Sequence, residues 1–342
     1  MINLFFVEAP FQLIAAIESA KTLVGCKNTL ILRKNGHARN DAQLEEMLAS
    51  SNNNWSSVLI LRARKNKLLS SFDFYFSLLA LVKLRAACIF ERNGIDVVAF
   101  GDFRSGLCQA LYRFFCGKRL WLLDDGIAAL NLFKMQDGEI FFDRNVIDQK
   151  DMFVAKLFLK KNNGSESVVL KTFLNIDVSL PFVVEKISLN EAFSAEKIKN
   201  QVVESNLVYF VGSKFVEEGI LTESDYMEIC HKAFLKFNKG TIVYFPHREE
   251  TDELIEKIRC RFGFKIVRPL LPLEFYVCQQ LTLPTAIVGV SSAAICTIAN
   301  IYPHIKVYLI DFKRDFLPEN HQLVFNVCHT YILANASASI IE

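Results

Sequence analysis

Hydrophobic and polar positions along the chain fall into two alternating kinds of run. Short, nearly continuous apolar runs occur at Asn3–Val7, Thr29–Arg33, Ser57–Leu61, Asp96–Phe100 and Arg119–Leu123. Longer stretches with apolar residues at helical spacing lie between or beside them, at Phe11–Leu23, Phe74–Asn93 and Leu107–Cys116. Continuous apolar runs predict strands covered on both faces, and their alternation with helices predicts βαβ units in a parallel sheet. Strand-like runs follow at Glu139–Phe142 and Ser167–Leu170. The stretch Asn175–Leu189 contains Pro181 and Lys186 and is predicted to be a crossing linker.

A second alternating series then begins. It predicts strands at Leu207–Val211, Thr241–Phe245, Lys265–Val267, Ala286–Val290 and Lys306–Ile310. The intervening helices are Ser224–Phe237, Thr251–Phe262, Leu273–Gln280 and Ser291–Ala299. The chain therefore reads as an α/β protein of two doubly wound, Rossmann-like domains, 1–185 and 186–342, with ligands expected at the carboxyl ends of strands. The C-terminal stretch Asn320–Glu342 carries apolar runs without evident chemistry and is predicted to pack back on the first domain.

Composition narrows the function classes. The 39 Lys and Arg nearly balance 37 Asp and Glu, so no broad basic field exists to hold nucleic acid. Nine cysteines are scattered without a CxxC pair, which argues against a disulfide framework or a zinc site and fits a reducing cytoplasm. Met1–Ala20 carries Glu8, Gln12 and Glu18 and lacks a basic leader, so it reads as a first strand and helix. No apolar run is long enough for a membrane span. GxGxxG, Walker A and HExxH motifs are missing, which weakens an NAD, P-loop or zinc-hydrolase reading.

Several strand ends carry candidate chemistry. Trp121-Leu122-Leu123-Asp124-Asp125-Gly126 sets two carboxylates just past a strand, before a glycine that permits a sharp turn. A carboxylate there can serve as general base, or it can cap the following segment. Phe245-Pro246-His247-Arg248 delivers an imidazole and a guanidinium together. Both can stabilise a phosphate, and an imidazolium can protonate a leaving oxygen; the plainer alternative is a charged surface turn. Val288-Gly289-Val290-Ser291-Ser292 opens a helix with two hydroxyls, which can cap it and also meet a phosphate at its N-terminus. Glu274 opens another helix, where a carboxylate could accept from ribose hydroxyls or serve ordinary first-turn helix chemistry. Gly101-Asp102-Phe103-Arg104 ends a strand of the first half with a carboxylate and a guanidinium.

In this order the motifs resemble those of bacterial sialyltransferases, glycosyltransferase family 52 and the polysialyltransferase-like group. The matching pieces are Asp124-Asp125-Gly126, Pro246-His247-Arg248 and Ser291-Ser292. Pro10 and Gln12 of Ala9-Pro10-Phe11-Gln12, the segment Gly101–Arg104 and the segment Gly212–Gly219 add to the likeness. In one departure Arg248 follows the histidine where the family pattern has proline, and Pro246 precedes it.

The resemblance implies a GT-B fold, two Rossmann-like domains facing a central cleft, with the acceptor on the first and the nucleotide mainly on the second. It implies inverting transfer from CMP-sialic acid to a sugar hydroxyl of a bacterial surface glycan, such as a lipooligosaccharide or capsule, with terminal galactose the expected acceptor. The CMP-sugar is a co-substrate, and neither a cofactor nor an essential metal is implied. By the same likeness Asp125 would be the general base and His247 would assist the departing CMP. Arg248, Ser291 and Ser292 would hold its phosphate and Glu274 its ribose. Pro10, Gln12, Asp102, Arg104, Asp124 and Gly126 would lie toward the acceptor or the cleft. Two alternatives stay open: a donor carrying Kdo or another nonulosonate, and a noncatalytic nucleotide-sugar-binding protein of the same fold.

The basic cluster Arg62, Arg64, Lys65 and Lys67 precedes the aromatic stretch Phe72–Val82. It reads as the solvated rim of a domain helix, or as a peripheral contact with anionic lipid that would bring a lipid-linked acceptor near.

Overall fold

The computed structural model describes residues 1–50, 55–62, 79–80, 82–83, 94–101, 108, 119–126, 135–136, 139–140, 167–175, 183–187, 201–312 and 319–342. These fall into two compact units, Met1–Asp125 with Leu132–Ser188, and Gly126–Asn131 with Leu189–Glu342.

The first unit is built on β1 (Ile2–Val7), β2 (Lys27–Lys34), β3 (Ser57–Arg62), β4 (Ile95–Phe100) and β5 (Arg119–Leu123). A short antiparallel pair, β6 (Met135–Gln136) and β7 (Glu139–Ile140), stands apart, and β8 (Ser167–Thr172) and β9 (Val183–Lys186) return to the sheet. The sheet is parallel throughout, in the order β3-β2-β1-β4-β5-β8-β9. Every residue of β1 is buried, the state that its continuous apolar run requires. Helices α1 (Pro10–Lys21) and α2 (Ala38–Ser50) follow β1 and β2.

Two expectations change here. The stretch taken for a linker contributes β9, an edge strand whose residues are exposed or half-buried. An edge strand needs no apolar run, so its pattern resembles that of a linker. Of the expected strand at 139–142, Glu139 and Ile140 form one arm of the antiparallel pair, and the remainder lies outside the described residues. The expected helices at Phe74–Asn93 and Leu107–Cys116 also lie largely outside them; the described residues 79–80, 82–83 and 108 are helical.

The second unit contains β10 (Val202–Val211), α3 (Glu223–Lys236), β11 (Thr241–Phe245), α4 (Asp252–Phe262) and β12 (Lys265–Ile266). It continues with α5 (Leu273–Gln279), β13 (Thr282–Gly289), α6 (Ala293–Ile301), β14 (Lys306–Ile310), α7 (Glu319–Asn335) and β15 (Ser339–Ile341). Its parallel sheet runs β12-β11-β10-β13-β14-β15, so strand order reverses between β10 and β13. Capping sets the helix boundaries. Thr222 and Thr251 accept N–H groups at the starts of α3 and α4, and Gly263 ends α4 with φ +69°.

Pro284 sits in a central strand, where its missing N–H would break the ladder. The pairing of β10 with β13 shifts register at that point, between Glu204 and Val208. Thr285 Oγ1 donates to the carbonyls of Leu207 (3.1 Å) and Ser205 (3.4 Å) across the irregularity. The C-terminal tail belongs to this unit: β15 pairs with β14, and Phe325 of α7 packs edge-on against Phe215 and Phe312. Phe325 and Ile341 of this tail are part of the second unit's core.

Among the described residues no helix is long and apolar enough to cross a membrane. The described cysteines are free thiols, and all but Cys26 and Cys260 are buried, as small apolar side chains would be.

Candidate active site

In the first unit, order reverses between β1 and β4. Registry places the carboxyl ends of β1, β4 and β5 level, with Phe6 beside Phe100 and Phe100 beside Leu122. The residues that leave these ends are Glu8, Gly101 and the Asp124-Asp125 pair.

The two adjacent aspartates have different tasks. Asp124 is fully buried, and its Oδ2 accepts from the Thr172 hydroxyl (2.5 Å) and the Phe173 N–H (2.7 Å). It ties the end of β5 to the end of β8. Asp124 was expected toward the acceptor or the cleft; the structure places its Oδ2 on these two interior donors. Asp125 is half-buried, and its Oδ1 accepts from Gln12 Nε2 at 3.0 Å. Gly126 follows in the left-handed region with φ +72°.

Gln12 is held before it reaches Asp125. It is the third residue of α1 and is 2% exposed. Its Oε1 accepts the N–H groups of Glu8 (2.9 Å) and Ala9 (3.2 Å), which cap a helix whose N-cap alanine offers no side-chain acceptor. With the oxygen so occupied, the amide NH2 can only point the other way, toward Asp125. Pro10 is buried at the first position of α1, where a proline suits the start of a helix. A Cβ at Gly101 would lie 2.1 Å from Gln12 Cδ, so only glycine admits this glutamine. Beside it Glu8 pairs with Arg33 at 2.6 Å, two charges that the motif reading passed over. Asp102 and Arg104 lie outside the described residues.

In the second unit Val211 sits in register with both Phe245 and Gly289. The segments beginning at Gly212, Pro246 and Val290 therefore leave the sheet at one level. The His247 N–H donates to Glu250 Oε1 (2.7 Å), and the Glu250 N–H returns to the His247 carbonyl (3.0 Å). Within this turn Glu249 N–H donates to His247 Nδ1 at 3.2 Å. An Nδ1 that accepts leaves the ring proton on Nε2, so the imidazole offers an N–H donor there. Arg248 Nε lies 3.8 Å from Glu249, which also receives Lys214 at 3.7 Å.

Ser292 caps α6, its Oγ accepting the Ala294 N–H at 3.2 Å. Ser291 and Ser292 are both half-buried. Gly289 admits the close approach of Val211 O and Ile295, each of which a Cβ would meet at 2.9 Å. The α6 N-terminus thus stands at the β10/β13 reversal, where backbone N–H groups and the helix dipole favour an anion. Glu274, early in α5, is 5% exposed, and burial raises its carboxyl to about 7. Tyr276 of the same helix packs edge-on against Phe245, ring centroids 5.4 Å apart, which seats α5 beside the end of β11.

Glu250 is 2% exposed, and burial raises its carboxyl to about 8. Its bonds from Tyr244 and the His247 N–H oppose that rise, Glu217 adds to it and Arg268 opposes it. For Glu250 and Glu274 the folded state binds protons that the unfolded chain has released above the ordinary value of 4.5. Their contribution is complete at acid pH and is lost as pH rises through about 7 and about 8. Thermal melting should accordingly show E250Q gaining stability on wild type between about pH 5 and about pH 9. Parallel pH curves for the two proteins would contradict this.

Known structures give the type of fold. The chain resembles the alpha/beta-galactoside alpha-2,3-sialyltransferase of the luminous marine bacterium Photobacterium phosphoreum with a TM-score of 0.52. Identity is 13%, and the match covers 99% of this chain and 98% of that one. UDP-GlcNAc 2-epimerase from Methanocaldococcus jannaschii also gives 0.52, at 12% identity over 100% of this chain and 89% of the other. At such identities the likeness concerns the fold, the GT-B type with two Rossmann-like parallel-sheet units. No curated protein sequence matches the chain significantly. The sequence model of the alpha-2,8-polysialyltransferase family does match, over residues 3–311, and the chain belongs to that family. It is a glycosyltransferase that transfers sialic acid.

Proposed function

We propose that this protein transfers sialic acid from CMP-sialic acid to a sugar hydroxyl, with inversion at the anomeric carbon and no essential metal. The observation that carries the reading is the carboxylate of Asp125, aimed by the buried amide of Gln12 at a strand end. Asp125 takes the proton of the acceptor hydroxyl as that oxygen bonds to the anomeric carbon. The bond from that carbon to the phosphate oxygen breaks, and its electron pair leaves with CMP.

Charge then grows on the phosphate. The Nε2–H of His247, the hydroxyls of Ser291 and Ser292, the first turn of α6 and Arg248 are the groups suited to receive it. Donation of a hydrogen bond from neutral His247 fits its Nδ1 contact better than full proton transfer. Glu274 would accept from ribose hydroxyls. CMP carries a single phosphate, so it presents no pyrophosphate for a metal to bridge. The name of the alpha-2,8-polysialyltransferase family supports offering a sialyl-terminated acceptor beside the terminal galactose that the resemblance implies.

Mass spectrometry of reactions with CMP-sialic acid in EDTA, offered sialyl-terminated and galactose-terminated oligosaccharides, tests this. The expected result is a product one sialic acid heavier, together with released CMP. Transfer from CMP-Kdo alone would replace the donor. Binding of CMP-sugars without turnover would leave a noncatalytic protein.

Gly101→Ala provides a sharper check on the positioning of Asp125. Its new methyl displaces Gln12, and transfer should fall on the order of 10–100-fold from misplacement of the base. Initial rates on a variant with wild-type circular dichroism measure this, and an unchanged rate would remove Gln12 from the account.

A further inference from the structure

Beneath the second-unit site runs a line of buried hydrogen bonds. Ser213, just past β10, donates its N–H to Tyr226 Oη at 3.0 Å. The hydroxyls of Tyr226 and Tyr244 are 2.9 Å apart. Tyr244 OH donates to Glu250 Oε2 at 2.6 Å, and Glu250 Oε1 accepts the His247 N–H at 2.7 Å. Both tyrosines are 0% exposed and Glu250 is 2% exposed. Because Tyr244 spends its single proton on Glu250, the proton between the two phenols comes from Tyr226. Donors from both ends of the line thus converge on one carboxyl group.

The backbone is shaped around this carboxyl. A Cβ at Gly212 would lie 2.2 Å from Glu250 Oε1 and 2.8 Å from Tyr244 Oη. Arg268 Nη2 donates to the backbone carbonyl of Glu250 at 2.9 Å. A cluster that served stability alone could be apolar, since desolvating two tyrosines and a glutamate is costly unless every group is paired. This one ends on the N–H of His247 itself.

We infer that Glu250 is a positioning residue for His247: it fixes the 247–250 turn so that the Glu249 N–H engages Nδ1 and the ring proton stays on Nε2. Tyr244 and Tyr226 brace the carboxyl and tie its position to the Ser213 end of the neighbouring strand. The catalytic consequence rests on the reading of His247 as the leaving-group residue, whereas the tautomer does not.

The test uses the full chain labelled with 15N-histidine, with H247Q to assign the ring signals of His247. Wild type should show a single Nε2–H tautomer at this residue. E250Q keeps an oxygen for the His247 N–H and should retain that tautomer, with turnover within about threefold of wild type. E250A should give a tautomer mixture and lose about tenfold or more in turnover of CMP-sialic acid. A folded E250A with the wild-type tautomer would overturn the inference, as would equal ring signals in E250Q and E250A. Should E250A not fold, Y244F decides: it leaves Oε1 in place but removes its brace, and an unshifted His247 signal would overturn the inference. Shifted ring signals in E250A alongside full activity of H247A would discard only the leaving-group reading.

Discussion

Replacing Asp125 by alanine should abolish sialyl transfer while CMP binding stays close to wild type. A positioned general base contributes about 10²–10⁴-fold, and no other described carboxylate is aimed by an equivalent donor at this strand end. Asp124 cannot substitute, because its Oδ2 is occupied by Thr172 and Phe173 inside the unit. The two aspartates should therefore fail differently. Asp124→Ala strips a buried hydroxyl and a buried N–H of their acceptor and should lower the melting temperature. Asp125→Ala should melt as wild type does and lose the reaction. Equal transfer by Asp125→Ala and wild type would overturn the assignment of the base.

The second large effect belongs to His247. His247→Ala removes the donor proposed to meet the leaving phosphate, and the loss of such a donor costs on the order of 10²–10³-fold in turnover. Both acceptor transfer and hydrolysis of the donor by water should slow, because both break the same bond to CMP. Asp125→Ala should weigh more on transfer than on hydrolysis. His247→Gln keeps an amide donor on the same turn and should recover part of the rate. Hydrolysis at the wild-type rate in His247→Ala would show that the departing phosphate is stabilised elsewhere.

Much of this architecture could be read in the residues themselves. Buried parallel strands such as Leu207–Val211 and, past its exposed first residue, Thr241–Phe245 are continuously apolar, so their pattern leaves little choice of structure. Where burial is one-sided or absent, the pattern gives way. The first half of β10, Val202–Asn206, is exposed, and so is much of β9; neither carries the apolar run that marks its neighbours. The strand ends that bear Asp125, His247 and Ser291-Ser292 were visible because turn residues follow apolar runs at each. The difference between Asp124 and Asp125 was not, since it depends on Thr172 and on Gln12, the latter 113 residues away. Glu250 was hidden for a similar reason. In sequence it belongs to a charged turn, and only the packing of α3 and β11 reveals the tyrosines that meet it.

The central claim is that the second unit receives a CMP-linked donor, and nucleotide binding to the full chain tests it most directly. Titration calorimetry in EDTA with CMP, UDP, GDP and NAD should show heat for CMP alone, weakened in His247→Ala and retained in Asp125→Ala. Preference for UDP or GDP would contradict the claim, leaving a GT-B transferase whose donor is not a CMP-sugar.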